Sequence, residues 1–440
     1  MTAPTTDRAP CPPRHFSPRL EARLKRLRSS TFRKALKLLR RLLVALFVVV
    51  LAATPALAAP GALDTTYSGD GITQNTFGTG DHVVVDSQGR VLVGGQVLPA
   101  RLDAGRPSIM RYKANGALDP TLDGDGRMSL PVQGRVRGIA LQGGNILVAT
   151  ESSLWRLKPS GATDPTFGSN GRIDFPDSGT VGGRHPLWAT GTRAYVILDV
   201  PGSVSSSVYV FTADGGRSGA ASPYGVRLES IALHEGRVYA VGATKDRYQG
   251  GRVVVARFNT MPSMALDAGF NGGRELAYGP ALIYDQFGPV TQFTPMDIAV
   301  NVTTDKFTVV GDKYECSGDS CSTYTYGFAI RFDPSSALDG TFGGDGEAMA
   351  GCTNGGDGMT SVMLQGNKTI VAGESWTEDD PEQRFGVARL TASGARDITF
   401  SRAPCDTTYG TEGAIVQDAV LAGGKVIAVG GVYTARYLAT

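Results

Sequence analysis

Short apolar runs separated by polar turns recur along the chain, and their spacing predicts strands rather than helices. Seven six-residue runs begin with Arg, Lys or Asn, continue with β-branched or other apolar residues, and mostly end in Gly. Runs of this kind between Gly-rich turns are typical of strands that are buried on both faces. The runs are residues 90–95, 145–150, 193–198, 237–242, 306–311, 368–373 and 425–430.

Each run lies in a common unit. An apolar strand precedes it across a short turn, a third strand follows a variable loop, and a fourth short strand comes last. No helical periodicity of useful length follows the first 58 residues. Seven units of about 54 residues, each with four strands, are the size of propeller blades with generous loops. We therefore expect an all-β fold, a seven-bladed β-propeller of four-stranded antiparallel blades.

A second recurrence links the third and fourth strands. The phrase Ala-Leu-Asp-x-Thr, followed by a Gly-Asp-Gly turn, recurs with variations and is eroded in the third repeat, around residues 213–221. Copies lie at residues 62–71, 117–126, 162–171, 265–273, 337–346 and, degraded, 395–400.

The ends of the chain are complementary. The last unit stops after its third strand, and the missing phrase and fourth strand stand at residues 62–76. We expect this N-terminal segment to complete the seventh blade, which closes the ring and removes exposed sheet edges. The alternative is an open solenoid, which would need capping repeats.

Charges in the repeat vary together. An Arg on the third strand precedes the phrase Asp by eight residues in four repeats and by ten in another. In the third repeat the two positions hold Val210 and Ser218. Because a half-buried charge is costly without its partner, we predict an Arg–Asp pair in most blades. The alternative is a ring of arginines lining a channel for an anionic ligand. The predicted pairs are Arg111 with Asp119, Arg156 with Asp164, Arg331 with Asp339, Arg389 with Asp397, and Arg436 with Asp64 across the closure.

Residues 1–58 have a different character. They hold twelve Lys or Arg and two acidic residues, then an apolar run over 42–51 and a small-residue segment ending at Ala58. This order predicts a basic leader and secretory signal that is cut after Ala58. The alternative is an uncleaved membrane anchor, although spanning helices need roughly 20 apolar residues. Residues 59–440 would then form a single propeller domain with a degenerate third repeat.

Removal of the leader changes the charge. The whole chain carries +2, but residues 59–440 hold 31 basic and 39 acidic residues. A domain this acidic is a poor candidate for binding nucleic acid or an anionic membrane surface. We expect an exported protein, in the periplasm, at the cell surface or outside the cell, with no membrane span after cleavage and a monomeric state.

Four cysteines remain after the leader: Cys316, Cys321, Cys352 and Cys405. An even number in an exported chain favours disulfides, and four cysteines allow three connectivities. We prefer Cys316–Cys321, which closes a small loop, and Cys352–Cys405, which follow their phrases at similar offsets. The alternative is four free thiols.

The phrase Ala-Leu-Asp-x-Thr-Phe-Gly-x-Asp-Gly, with Lys/Arg-Val-x-x-Val-Gly strands, resembles the delta-60 repeat family of bacterial surface and secreted proteins. Residues 337–346 match it best, and the resemblance covers about 61–440. It implies a propeller-like β architecture. It implies no established activity and no catalytic residues.

Motifs for chemistry are sparse. His82, His185 and His234 fall in three different predicted blades and are expected at turns or strand edges, and no zinc, phosphate-loop or nucleophile-elbow pattern occurs. Asp and Gly in turns could offer oxygen ligands to Ca²⁺, although they also satisfy turn geometry. These weak metal candidates are Asp123, Asp125, Asp345 and Asp357.

The sequence favours a binding scaffold for a protein or glycan partner, with no catalysis evident and no cofactor beyond a possible Ca²⁺. Variable loops on a rigid frame would make the contacts. The alternatives are a hydrolase or lyase with its site at the central channel, and a Ca²⁺-dependent adhesion module; the first rests on fold analogy.

Overall fold

A computed structural model describes residues 37–39, 59–97, 105–199, 201–244, 251–260, 264–279, 290–316, 324–351, 358–377, 380–400, 406–407 and 414–440. The chain divides into two units, Met1–Leu57 and Ala58–Thr440. In the first unit, the described residues 37–39 are helical. The expected leader and cleavage site therefore lie almost wholly outside the described residues. No helix in the described ranges combines the length and apolar character that a membrane crossing requires.

The second unit is built of short antiparallel strands, which the described residues arrange in seven sheets or blades. In chain order, the strands that precede and form blades 1 to 3 are β1 (Ile72–Gln74); β2 (His82–Val85), β3 (Val91–Gln96), β4 (Pro107–Tyr112) and β5 (Arg127–Ser129); β6 (Gly138–Gln142), β7 (Asn145–Ala149), β8 (Ser153–Leu157) and β9 (Arg172–Asp174); β10 (Thr180–Val181), β11 (Leu187–Ala189), β12 (Arg193–Asp199), β13 (Ser206–Thr212) and β14 (Arg217–Ala221).

Blades 4 to 7 follow the same order. Their strands are β15 (Val226–His234), β16 (Arg237–Thr244), β17 (Val253–Asn259), β18 (Ala265–Leu266) and β19 (Leu276–Tyr278); β20 (Val290–Val300), β21 (Phe307–Cys316), β22 (Tyr324–Phe332) and β23 (Glu347–Met349); β24 (Met359–Gln365), β25 (Lys368–Thr377), β26 (Asp380–Leu390) and β27 (Asp406–Thr407); β28 (Asp418–Ala422), β29 (Lys425–Gly430) and β30 (Tyr433–Leu438).

These sheets confirm the expected all-β, seven-bladed propeller of four-stranded antiparallel blades. In blades 3 and 4 one edge position is shared by two short strands, β10 and β11 in one and β18 and β19 in the other. Across the described part of the second unit, the only helical element is a 3₁₀ turn at Pro176–Ser178.

The second strands carry the core. β3 is buried at five of its six positions, and β7, β12, β16 and β29 are buried nearly throughout. Clusters of buried apolar side chains pack successive blades face to face, so apolar residues are needed on both faces of these strands. The runs recognised in the sequence fall on these second strands.

Glycine at the end of the second strand has a steric cause. A Cβ at Gly242 would overlap the carbonyl oxygen of Arg227 on the first strand of its blade. The overlap lies beside a bulge between Leu228 and Ser230 in the pairing of β15 and β16. The equivalent Gly95, Gly311, Gly373 and Gly430 each meet a carbonyl oxygen in the same way. The recurrent Gly therefore allows close backbone approach at a bulged edge.

The strand β1 lies in the sheet of β28, β29 and β30. It pairs antiparallel with β30, with Ile72 opposite Ala435 and Gln74 opposite Tyr433. Residues near the two ends of the described unit thus share one blade.

Candidate functional site

The structure brings the Arg and Asp of each predicted pair together. Arg Nε lies 2.6 to 2.9 Å from an Asp Oδ2 in six blades, and both residues are buried. The contacts join Arg111 to Asp119, Arg156 to Asp164, Arg257 to Asp267, Arg331 to Asp339, Arg389 to Asp397 and Arg436 to Asp64.

A second polar group reaches all six of these carboxylates. It belongs to the residue at or just before the start of the second strand, which opens each run in the sequence and is basic in five of the six blades. The pairs are Arg90 with Asp119, Arg237 with Asp267, Lys306 with Asp339, Lys368 with Asp397 and Lys425 with Asp64; in blade 2, Asn145 donates to Asp164. The Asp therefore connects the turn after the third strand to the start of the second.

Each guanidinium also bonds to the next blade. The acceptor is a backbone carbonyl beyond the third strand of that next blade, which makes these arginines inter-blade links. The bonds run from Arg111 to Pro159, Arg156 to Ala213, Arg257 to Pro334, Arg331 to Ala392, Arg389 to Ala439 and Arg436 to Ala114. In five blades the Arg lies over a phrase aromatic ring, 4.3 to 4.8 Å from its centroid. These contacts account for the arginines structurally and leave no need for an anionic ligand at them.

Blade 3 replaces this arrangement with a plain hairpin. Val210 stands where the Arg would be, and Ser218 Oγ donates to the carbonyl of Val210 at 3.3 Å. The turn between β13 and β14 takes the place of the phrase. Blade 3 thus lacks both charges and, with them, the bonds that the Arg and the Asp make in the other six blades.

The acidic turn residues serve their own turns. Asp125 Oδ1 accepts the backbone N–H of Arg127 at 2.8 Å, and Asp345 Oδ1 accepts that of Glu347 at 3.0 Å. Asp123 has a φ of 48°, in the left-handed region. Asp357 lies outside the described residues, as do Cys321, Cys352 and Cys405, and the Cys316 side chain is not described. The Ca²⁺ and disulfide assignments remain predictions.

A different set of polar residues lies at one register position of the innermost strands. Each residue of this set pairs with the residue just before the recurrent Gly of the second strand. The set is His82, Ser230, Asp297, Ser361 and Asp418. Here the side chain of one blade accepts a backbone N–H from the next. Val83 N–H donates to Asp418, Val362 N–H to Asp297 and Ala419 N–H to Ser361, at 2.8 to 3.1 Å. We call these five residues the polar layer.

His185 reaches this layer from the connection between β10 and β11 of blade 3. Its Nε2 lies 2.8 Å from the carbonyl oxygen of Thr360 in blade 6, and its Nδ1 lies 3.4 Å from Asp418 Oδ1 in blade 7. The backbone N–H groups of Arg184 and His185 donate to the carbonyl of Glu229 at 2.7 and 2.8 Å. These two bonds fix the connection so that the His185 ring points across the channel.

Outside the polar layer lies a cavity of about 440 Å³, which we call the mouth. Three arginines, Arg135, Arg137 and Arg184, line it together with Asp81 and Glu229. They come from blades 1 to 4 or the connections leading into them. The mouth is therefore a meeting point of charged side chains that lie far apart in the sequence.

The mouth arginines keep unused donors. Arg184 Nη1 donates to Gln417 Oε1 at 3.0 Å, Arg137 Nη2 makes a long contact of 3.5 Å to the carbonyl of Val181, and Arg135 Nη1 lies 3.8 Å from Asp81 Oδ2. A guanidinium carries five N–H donors. Within the described residues, most of these donors have no protein acceptor.

Burial dominates the electrostatics of the acidic groups here. It raises the pKa of Asp81 and of Glu229, which nearby arginines oppose only in part. Burial also raises the pKa of Asp418 to about 6, against the pull of His185. The pKa of His185 is raised although burial opposes it, because the carboxylates of Asp297 and Asp418 favour its protonated form. Burial, with the charge of His185, holds the pKa of His82 well below its ordinary value, so this ring is neutral.

Beyond the polar layer the channel is apolar. A cavity of about 690 Å³ is lined by aliphatic residues of all seven first strands and by Trp188, together with His185, Asp297 and Asp418. The polar layer therefore separates a charged mouth from an apolar channel.

The sequence indicated neither this convergence nor the meeting of His82 with His185. We expected the three histidines in separate blades, at turns or strand edges, and that description fits their positions along the chain. What it missed is that first strands meet at the axis. Comparison of the first-strand residues that face the end of each second strand would have shown the polar layer, whereas the contact of His185 depends on a connection particular to blade 3.

Comparisons with known proteins agree with the fold. A family model described as a domain of unknown function (DUF5122) β-propeller matches residues 87–122 and 367–400. No curated protein matches the sequence. The chain is thus similar to a propeller family over two of its segments.

Among solved structures, the WD40 domain of Neurospora crassa Pan2 is similar at 9% identity with a TM-score of 0.48, covering 86% of this chain and 98% of that one. The extracellular domain of a putative one-component system from B. thetaiotaomicron gives 12% identity and a TM-score of 0.45, covering 83% and 39%. The β-propeller domain of the Trilobed protease from Pyrococcus furiosus gives 7% and 0.44, covering 84% and 97%.

Proposed function

We propose that the protein is an exported β-propeller that acts as a binding scaffold and holds its ligand at the mouth. The observation that carries this proposal is the convergence of Arg135, Arg137 and Arg184 on one cavity with donors to spare. A cavity of about 440 Å³ lies within the range of small-ligand sites, and a few convergent polar groups are their usual mark.

The ligand that best fits this chemistry is anionic. Guanidinium groups bind carboxylates in a planar, two-bonded geometry, so unused N–H donors favour such a group. The carboxyl groups of Asp81 and Glu229 oppose this preference when ionised, and burial, which raises the pKa of both, reduces that opposition. We propose an acidic saccharide, such as a uronic acid at the end of a glycan.

Export is part of the proposal and rests on residues 1–58. The basic stretch, the apolar run and the small-residue end have the order of a secretory signal. An acidic glycan is a ligand of the cell envelope or the medium, so the two halves of the proposal agree.

Binding is tested by calorimetric titration of the full chain with glucuronate and galacturonate oligomers, with neutral glucose oligomers for comparison. We expect binding of acidic oligomers alone, weakened at least tenfold by Arg184→Gln and by Arg137→Gln. Arg274→Gln is the matched control, since Arg274 is exposed on the outer edge of blade 4. If all three variants bound the acidic oligomers equally well, the mouth would not be the binding site.

A hydrolase or lyase with its site at the central channel, beside the polar layer, is the second candidate. It is favoured by the contact of His185 with Asp418 beside Asp297, a clustering of acid and imidazole groups that general acid–base catalysis requires. Product analysis after incubation with acidic oligosaccharides tests it. If the chain bound the oligosaccharides and left them intact, the hydrolase or lyase would be rejected and the binding scaffold would be retained.

A further inference from the structure

We propose that His82, His185 and Asp418 form a binding site for a divalent transition metal ion of the zinc type, lying between the mouth and the apolar channel. The proposal goes beyond ligand binding at the mouth and stands on different residues. Each of the three offers one ligand atom, and these atoms all lie within 4.8 Å of one another.

The tautomer of His185 suits a metal ligand. The carbonyl oxygen of Thr360 can only accept a hydrogen bond, so the His185 Nε2 that lies 2.8 Å from it carries a proton and donates. The other ring nitrogen, Nδ1, faces Asp418 Oδ1, and a metal ion would take the place of a proton between these two atoms. Metal-binding histidines commonly donate their other ring N–H to a backbone carbonyl in this way.

Asp418 is fixed in a matching manner. Its Oδ2 accepts the backbone N–H of Val83 at 2.9 Å, which leaves Oδ1 facing His185. The same bond ties Asp418 to the strand that begins with His82, so the ligands on blades 1 and 7 are held in register. Second contacts of this kind orient a ligand before the metal arrives.

The spacing of Nδ1 and Oδ1 fits two ligands of one ion. The distance is 3.4 Å, longer than an ordinary N–H···O hydrogen bond. Two ligand atoms at about 2.0–2.1 Å from a tetrahedral ion lie roughly 3.3–3.4 Å apart. His82 completes the set with a side-chain adjustment, since it lines the mouth at the edge of the same layer.

The donor set selects the metal. Two imidazoles and one carboxylate suit Zn²⁺, Co²⁺, Ni²⁺ or Cu²⁺, whereas Ca²⁺ and Mg²⁺ require six or more oxygens or bound waters. The nearby Arg137 and Arg184 also raise the electrostatic energy of a bound cation. The two arginines therefore disfavour an ion that is held mainly by charge, such as Ca²⁺ or Mg²⁺, more than one that is held by coordination to nitrogen. Three protein ligands leave a fourth position for water or a ligand.

A second cluster in the described residues, His234, Glu235 and Asp305, lies at turns that follow the first strands of blades 4 and 5. His234 Nε2 and Asp305 Oδ1 lie 2.7 Å apart, an ordinary hydrogen-bond distance. Glu235 is exposed and Asp305 is half-buried. This cluster is satisfied without an ion and serves as the internal comparison.

The experiment uses the full chain carrying an affinity tag without histidine, treated first with a chelator. Titration with Co²⁺ is followed by visible absorption, and titration with Zn²⁺ by calorimetry. We expect one equivalent to bind, with the strong d–d bands of a four-coordinate Co²⁺ ion. His82→Gln and Asp418→Asn should each weaken binding at least tenfold, and His234→Gln should leave it unchanged.

His82→Gln keeps the test valid if the buried Asp418 variant fails to fold, because no hydrogen bond of the His82 side chain is seen in the described residues. Circular dichroism confirms folding of each variant. The proposal is overturned if the folded chain binds no equivalent of Co²⁺ or Zn²⁺, or if His234→Gln abolishes binding while His82→Gln does not. Binding of acidic oligomers to the chelator-treated chain, measured separately, reports on the mouth alone.

Discussion

Arg436 lies on the last strand of the chain, and its Nε is 2.9 Å from Oδ2 of Asp64, which lies just before β1. The contact is an ion pair rather than an aligned hydrogen bond, since that N–H has no acceptor in line with it. Lys425 and Thr66 also bond to the same carboxylate. Arg436 Nη2 also donates to Thr66 Oγ1, so these bonds hold residues about 370 positions apart in the sequence together in one blade.

The carboxylate of Asp64 makes stability depend on pH. Burial opposes ionisation, but bonds from Lys425 and Thr66 and the charge of Arg436 lower its pKa to about 2. The ordinary value is about 3.9, so the stabilising effect is full above pH 5 and is lost as the pH falls towards 2. We expect it to contribute roughly 2 kcal/mol. Urea denaturation at pH 7, 4, 3 and 2 measures the change.

The Asp64→Asn variant is the control for this titration. It has no carboxylate to protonate, so its stability should fall less steeply with acid than that of the parent chain. The equivalent Asp339 and Asp397 also have lowered pKa values, against opposing burial, through bonds to Lys306 and Lys368 respectively among others. They will add a residual acid sensitivity to the variant. Parallel curves for parent and variant would contradict the assignment.

Breaking one of the buried Arg–Asp pairs should destabilise the domain strongly. Asp339 is 2% exposed and binds Arg331 and Lys306, so Asp339→Asn leaves the buried Arg331 without its counter-charge. The expected loss is about 3–5 kcal/mol in the free energy of unfolding. Asp345→Asn, at an exposed turn of the same phrase, should change it by less than about 0.5 kcal/mol. Chemical denaturation of the two variants side by side tests the difference.

Pairing of β1 with β30 can be tested by a cross-link. Thr73 and Thr434 are buried partners directly opposite each other, and opposed positions in antiparallel strands have the spacing of a disulfide. Thr73→Cys with Thr434→Cys should oxidise to one bridge and raise Tm. Peptide mass mapping identifies the bridge. Thr73→Cys with Thr308→Cys, which places the second thiol in blade 5, should give none.

The recurrent Gly of the second strand should resist substitution. A methyl group at Gly242 would overlap the carbonyl oxygen of Arg227, and we expect Gly242→Ala to cost about 1–3 kcal/mol. Gly191 has no atom within 4 Å of its added Cβ and no positive φ, so Gly191→Ala should change stability by less than about 0.5 kcal/mol. Thermal unfolding compares the two. Equal losses would show that the close approach is not the cause.

The fold was accessible from the sequence because each blade repeats its own constraints. A second strand such as β3 is buried on both faces, which demands an apolar run, and its end meets a carbonyl, which demands Gly. The Arg and the phrase Asp hold each other and the next blade, so they vanish together at Val210 and Ser218. Because these local constraints recur from blade to blade, they can be recognised within a single sequence.

The polar layer was harder to predict, since its contacts join residues hundreds of positions apart. Asp418 accepts from Val83, and His185 reaches Thr360 across the channel. The polar residues on the first strands recur at one position of the unit and could have been found by aligning the units. The path of the connection that carries His185 is not repeated, so no comparison within the chain could have indicated it.

The arginine links are missing at one boundary, between blades 3 and 4. In six blades an Arg bonds to a backbone carbonyl of the next blade, whereas blade 3 has Val210 at that position. In the described residues, blades 3 and 4 are joined instead by the N–H groups of Arg184 and His185 donating to the carbonyl of Glu229, by Leu228 N–H donating to Ser206 Oγ, and by Arg227 with Asp199. The latter side chains are 43% and 25% exposed, so solvent weakens their attraction. We expect heating to separate blades 3 and 4 before other neighbouring blades, and limited proteolysis to cut first beside this boundary.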